Sequence, residues 1–299
     1  MKRLRIVASR RYGTLSPLRY PGGKASLAGL FADLFADLGT KRIRYVEPYA
    51  GGAGAGVALL REGLIDSLVV NDIDPAVHAF WSSAVNDNER FVEQIRRVPL
   101  TLDEWRHQRE VYKKGDQHDP FALGFAFFFL NRTNRSGVLN AGVIGGQSQT
   151  GAYRIDARFN RETLADRVEA IGELADSITV LDLDGRSVIQ RYGRDKRTFF
   201  YVDPPYVRAG SALYLNAFDG RDHVALAESL QKVSRAQWLL TYDVAPVVQR
   251  LYSDLYQCRL AITYSAHSPG RAEELIVAPP VVAESLQRVG RTSAGAASA

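Results

Sequence analysis

A chain of 299 residues, 46% apolar and 24% charged, has room for one large globular domain, or one domain with a sizeable insertion, and sits in the ordinary soluble globular range. Its single cysteine, Cys258, excludes an internal disulfide and a cysteine-based zinc site, and no apolar run reaches the length of a membrane span. The basic opening "MKRLRIVASRRYG" lacks the apolar stretch of a secretory signal, which gives a cytoplasmic profile, and a net charge of +5 leans toward a polyanionic partner.

In chain order, Arg3–Ser16 reads as a mobile basic arm. Pro21-Gly22-Gly23 is a turn, and Ser26 is placed to cap a helix whose Leu27, Leu30, Leu34 and Leu38 recur at helical spacing before Gly39. "RIRYVEP" is a short strand, followed by a glycine-rich turn, a helix from Ala55 to Arg61, and a second strand, "DSLVVND". That order predicts a parallel strand–helix–strand unit with its ligand at the carboxyl ends of the strands.

From Pro75 to Gln117 the pattern is helical and mixed in charge, with Trp81, Phe91, Ile95, Trp105 and Tyr112 as core candidates. "DPFALGFAFFFL" is a strongly apolar helix. Periodicity then disappears from Asn131 to Gly151, a length of irregular chain that is usually functional or disordered. Between Phe121 and Arg161 five arginines (Arg132, Arg135, Arg154, Arg158, Arg161) stand against one acid, Asp156, interleaved with amides and glycines in a way that suits phosphate and base contacts. A helix resumes at Arg161. It is followed by strand "SITVLDLDG", a strand before Asp203, helix "DHVALAESLQKVSR" and strand "QWLLTYD". The expectation is an α/β core over 1–78 and 161–284, a helical insertion over 79–160, and a disordered tail over 285–299.

Two segments suggest chemistry. "YVEPYAGGAGAG" ends a strand with Glu47 and supplies Gly51, Gly52, Gly54 and Gly56. The dinucleotide fingerprint G-x-G-x-x-G fails at Val57, and no phosphate-binding P-loop is present. An acid over the glycines favours a cationic ligand, and Asp72, ending the next strand, suits the two hydroxyls of a ribose. "TFFYVDPPYVRAG" stops a strand with two prolines, which give no N–H to a sheet, so a stiff corner presents Asp203 and Tyr206. The five histidines have no metal-ligand spacing, and no metal is expected.

"RYPGGK", "VEPYAGGAGAG" and "YVDPPY", with "NDID", "LNRTNRSG" and "LDLDG" in order between them, together resemble the Dam-type (alpha-group) DNA adenine N6-methyltransferases, which use S-adenosylmethionine. The resemblance covers most of residues 16 to 280. It implies a seven-stranded Rossmann-like class I methyltransferase core with a mainly helical target-recognition insertion. It also implies that Tyr20 and Lys24 line the cofactor site, that Glu47, Tyr49 and Gly51 surround the methionine end, and that Asp72 and Ile73 meet ribose and adenine. Asp184, or nearby Asp182, would meet the adenine amine. Asp203, Pro204, Pro205 and Tyr206 would hold the target adenine beside the cofactor. Asn131, Arg132, Asn134 and Arg135 are the candidates for DNA contact, with capping of the apolar helix as their competing use. The chain departs from the pattern of the GATC-reading members, which continue with a "FNVPFG"-like segment where this one reads "VLNAGVIGGQSQTGAYRIDARFN".

The chemistry this implies follows from the base. An exocyclic adenine amine delocalises its lone pair into the ring; accepting its hydrogens with the Asp203 carboxylate and the Pro204 carbonyl would free that pair for attack. Tyr206 would stack on a base that has left the duplex. The expected partner is double-stranded DNA, methylated either beside a cognate restriction enzyme or by a solitary enzyme. RNA or protein methylation on the same core, and a binding protein without activity, are the competing readings.

Overall fold

The computed structural model describes residues 2–4, 12–13, 15–19, 24–207, 218–263 and 271–296. The chain opens with β1 (Lys2–Leu4), then a 3-10 turn (Lys24–Leu27) leading into α1 (Ala28–Leu38), β2 (Arg44–Glu47), α2 (Gly54–Arg61) and β3 (Ser67–Asn71). Four helices follow: α3 (Pro75–Asn86), α4 (Asn88–Arg97), α5 (Leu102–Lys114) and α6 (Pro120–Thr133). After an irregular stretch come α7 (Arg161–Gly172), β4 (Ile178–Leu181), α8 (Gly185–Tyr192), β5 (Thr198–Val202), α9 (Gly220–Gln231) and β6 (Gln237–Asp243). The chain then adds α10 (Pro246–Leu251), β7 (Tyr256–Thr263), β8 (Arg271–Ala278) and α11 (Pro280–Ala296).

The strands form one sheet in the order β1-β7-β8-β6-β5-β2-β3-β4. Every pairing is parallel except the two made by β8. Burial explains the apolar continuity of β5, whose five residues are all buried, as a strand covered on both faces requires. Alternate side chains serve different layers. Tyr45, Phe199 and Tyr201 pack with Phe31 and Phe35 of α1, whereas Val46, Phe200 and Val202 pack with Val188, Leu226 and Leu230 of α8 and α9.

Phe80, Phe91, Phe125, Phe128 and Phe159, from α3 to α6 and the stretch after it, pack ring against ring in the same core as the α1 layer. α3 and α6 approach so closely that a Cβ on Gly124 would lie 2.5 Å from the Ala79 carbonyl oxygen, which only glycine allows. Side-chain caps fix where these helices start: Asp74 before Pro75, Asp119 before Pro120, Thr101 on α5 and Asn160 on α7, each worth about 1 kcal/mol.

Four expectations are corrected. The tail from 285 is helical through Ala296, because Val282, Ala283 and Leu286 bury one face of α11 in the core, and Arg288 grips Asp37 of α1 at 2.8 Å. Arg3 and Leu4, expected to begin a mobile arm, lie with Lys2 in an edge strand beside β7, which raises the strand count from seven to eight. Ser26 lies inside the 3-10 turn and caps nothing; α1 starts after Leu27 without a side-chain cap.

Candidate active site

β2 and β5 are parallel neighbours at the centre of the sheet, and the chain leaves their carboxyl ends toward opposite faces: α2 packs with the α1 layer, α9 with the α8 layer. This is the switch point at which open α/β sheets leave a crevice for ligands. Glu47 ends β2 and Asp203 follows β5, so the two acids border the same crevice.

Asp203 is held by groups from three parts of the chain. Its Oδ1 accepts from Thr241 Oγ1 on β6 at 2.8 Å, from the Tyr206 hydroxyl at 3.1 Å and from Lys24 Nζ at 3.2 Å; its Oδ2 accepts from Lys24 at 3.0 Å. Thr241 is itself bonded to the Tyr201 hydroxyl at 2.9 Å. Lys24 also donates to Tyr206 at 2.6 Å and to Glu274 Oε1 on β8 at 3.1 Å, and the Tyr206 hydroxyl lies 2.8 Å from that same oxygen. Burial works to lower the Lys24 pKa, but the charges of Asp203 and Glu274 outweigh it and hold the ammonium above its ordinary value. The Lys24 ammonium therefore gives Asp203 the kind of hydrogen bond that an amine substrate would give. Behind Tyr206 stands Tyr242, ring centroids 6.2 Å apart, whose hydroxyl is bonded to His223 Nδ1. The corner beyond the prolines is pinned by Val207 N–H donating to Asp243 at 3.0 Å.

The glycine turn forms the other wall. Glu47 Oε1 accepts from Gly56 N–H at 3.0 Å, and a Cβ on Gly56 would lie 2.8 Å from that oxygen. Burial pushes the Glu47 carboxyl up to about 8; the Gly56 bond opposes this and the charge of Asp203 adds to it. Asp72 accepts from Gly51 N–H and from Asp74 N–H, both at 3.0 Å, and burial raises it to about 6. Gly51 adopts φ 47°, and its carbonyl accepts from Trp81 Nε1 at 2.8 Å. Asn71 joins two loops: it donates to the carbonyls of Pro48 and Leu183 and accepts from Leu183 N–H.

Tyr49 packs so tightly on Gly185 that a Cβ there would sit 2.4 Å from its ring. Its buried hydroxyl makes no hydrogen bond among the described residues. Asp184 caps α8 and is gripped by Arg186 at 2.6 Å, which holds its carboxyl below the usual range; Arg186 reaches on to Asp222. Asp182 is exposed, outside this arrangement. Ile73, 47% exposed beside Asp72, offers an apolar surface at the mouth. Tyr20 lies outside the described residues.

Lys24, Glu47, Tyr49, Gly51, Asp72, Ile73, Asp184 and the Asp203–Tyr206 corner are thus all on loops at the carboxyl ends of the strands or packed against them. Sequence reasoning missed Asn71, Thr241 and Glu274. Glu274 had a signal, an acid inside the apolar strand "ELIVA"; the other two gave none.

Two of the expected DNA contacts are corrected. Asn131 (1% exposed) bonds the main chain of Arg19 and the Gly137 carbonyl, and Asn134 (0%) bonds Trp105 Nε1 and the carbonyls of Val138 and Leu139. Their polar atoms are used inside the protein, where they frame the irregular loop. Arg161 is likewise internal, donating to the carbonyls of Ile95, Arg96 and Val98 at the end of α4. Arg135 is exposed and Arg132 half-buried.

The arrangement can accept hydrogens from an amine at Asp203 while Glu47 and Asp72 hold a cationic, hydroxyl-bearing ligand alongside. A family model for D12 class N6 adenine-specific DNA methyltransferases matches residues 20–270. The chain is also similar to the type II methyltransferase M.MjaIII of Methanocaldococcus jannaschii, 24% identical over 236 residues, which cover 73% of this chain and 80% of that protein. No helix among the described residues is long and apolar enough to cross a membrane.

Proposed function

The chain belongs to the D12 class N6 adenine-specific DNA methyltransferase family, and from that premise we propose that it transfers the methyl group of S-adenosylmethionine to the N6 amine of an adenine turned out of duplex DNA. The observation that carries this reading is the convergence of Lys24, Asp203 and Tyr206 on one crevice with Glu47 and Asp72.

The donor cleft fits its ligand. Glu47 offers a buried carboxylate to a cation, Asp72 an acceptor for ribose hydroxyls, Ile73 an apolar face for a purine, and Tyr49 a buried hydroxyl with no partner of its own. Once bound, S-adenosylmethionine supplies an activated methyl on a sulfonium. The protein's own work is to orient the amine. Asp203 accepts one N6 hydrogen and the Pro204 carbonyl the other, with Pro205 fixing the direction of that carbonyl. Thr241 helps Lys24 and Tyr206 hold the carboxylate's orientation. Glu274 gives Lys24 a second acceptor, so the ammonium stays paired when the adenine amine takes its place on Asp203. Tyr206 offers the base an aromatic face.

Residues 79–160 read the DNA, with Arg135 at the exposed edge of the loop that Asn134 frames. The likeness to a type II methyltransferase supports a role beside a cognate restriction enzyme on a separate chain. Incubating the purified protein with methyl-labelled S-adenosylmethionine and duplex DNA tests the reading. Label recovered as N6-methyladenine supports it; label only in RNA or protein overturns it.

A further inference from the structure

Four arginines gather where the N-terminal segment 15–19 crosses the end of α6, near enough for the charges of Arg19, Arg167 and Arg158 to act on Arg132. Arg132, in the last turn of α6, donates through Nε to the Arg158 carbonyl at 2.8 Å. Arg19 donates to the Asn134 carbonyl at 3.3 Å, while its own main chain is clamped by Asn131 at 2.7 and 2.8 Å. Arg167, on α7, donates to the Ser16 carbonyl at 3.2 Å. These partners are neutral carbonyls. Among the described residues, none of the ion pairs involves any of the four, although arginines elsewhere have acids: Arg44 with Asp195, Arg186 with Asp184, Arg259 with Glu273.

Gathering like charges while taking them partly out of water is costly unless an anion joins them. Arg132 shows the strain, pushed down to about 9 by burial and then by the charges of Arg19, Arg167 and Arg158; burial also pushes Arg19 and Arg167 down. Arginine keeps its proton in proteins, so such a site resolves by binding an oxyanion, and the planar guanidinium fork matches phosphate oxygens bidentately. Arg132 is recessed and Arg158 exposed, so the anion reaches the cluster from the surface. Segment 15–19 also ties the place to the active site, because Ser16 Oγ donates to the Gly52 carbonyl of the glycine turn at 2.6 Å.

We infer that Arg19, Arg132, Arg158 and Arg167 form a seat for one backbone phosphodiester of the DNA, fixing the strand at a set distance from the glycine turn. The inference rests on the reading that duplex DNA is the substrate. The donor's carboxylate is the other oxyanion within reach of the same chemistry. A phosphodiester is favoured because the cluster lies at the end of α6, on the framed loop that carries exposed Arg135.

The test measures affinity for a mixed-sequence duplex across a salt series, using the full chain and its Arg158→Gln and Arg158→Gln/Arg167→Gln variants, alongside calorimetry with S-adenosylmethionine. Arg158 is exposed, so the single variant remains decisive if the double variant unfolds. The expected result is weaker binding, several-fold or more at low salt, irrespective of sequence. The slope of log affinity against log salt should become shallower by up to about 0.9, the value for one phosphate, with donor affinity unchanged. Unchanged duplex affinity and slope would overturn the inference, as would a loss confined to donor affinity. A wild-type protein that binds no duplex at any salt would overturn the DNA reading beneath it as well.

Discussion

Lys24 and Glu274, 250 residues apart in the chain, form a buried ion pair at 3.1 Å, with exposures of 8% and 2%. The pair joins the first described turn of the α1 layer to the antiparallel strand β8, and Asp203 and Tyr206 are bonded to it. A charge this deep is tolerated only while paired, and breaking such a pair costs about 3–5 kcal/mol when nothing replaces the lost partner. Lys24 keeps Asp203, so Glu274→Gln should destabilise the fold by less, about 1–3 kcal/mol. Urea unfolding measures this; an unchanged midpoint would mean the pair contributes nothing.

Glu47 makes donor binding pH-dependent. Its carboxyl is pushed up to about 8 in the free protein, so it is mostly protonated at neutral pH, whereas a cationic donor favours the ionised form. Affinity for S-adenosylmethionine should rise from pH 6 to 8.5, with proton release on binding at pH 7, and Glu47→Gln should remove both effects. The stability effect has the opposite sign. Because the folded value exceeds the ordinary 4.5, burying Glu47 costs nothing below that pH and progressively more as pH rises through about 8. The free wild type should therefore lose stability relative to Glu47→Gln across that window. Parallel thermal unfolding curves for the two proteins from pH 5 to 8.5 would contradict the assignment.

Thr241 separates positioning from binding. Thr241→Val is nearly isosteric but removes the 2.8 Å bond to Asp203 and the partner of the Tyr201 hydroxyl. With Asp203 left to Lys24 and Tyr206 and less firmly oriented, kcat should fall on the order of tenfold, about 1.4 kcal/mol, while donor Kd holds. A variant that loses donor affinity and keeps kcat would place Thr241 in the wrong half of the site.

The close packing of Gly185 on Tyr49 gives a further expectation. Gly185→Ala puts a methyl into the Tyr49 ring and should cost about 1–3 kcal/mol in strain. The donor KM should rise as Tyr49 is displaced. An unaltered KM would show that Tyr49 does not line the donor cleft.

These residues also show what a sequence can and cannot convey. The paired strands β2, β3 and β5 were legible because buried parallel strands read as apolar runs that end in an abrupt change of chemistry, at Glu47, Asp72 and Asp203. Thr241 and Asn71 were illegible because each is one small polar residue in an apolar strand; only sheet order puts Thr241 beside Asp203 and Asn71 between two loops. Asn131 and Asn134 misled because an amide next to an arginine has the same composition in a DNA-facing loop as in a buried frame, and burial alone separates the two. The α11 helix could have been read from Val282, Leu286 and Val289, but the glycine, serine and alanine around them pointed to a tail.

The most direct test of the central claim is to express wild type and Asp203→Ala in cells lacking their own adenine methylation and to sequence the DNA by a method that detects N6-methyladenine. Methylation at a defined short sequence is expected in the wild type and none in Asp203→Ala, with the purified variant still binding S-adenosylmethionine. Equal methylation by both proteins would contradict the role given to Asp203.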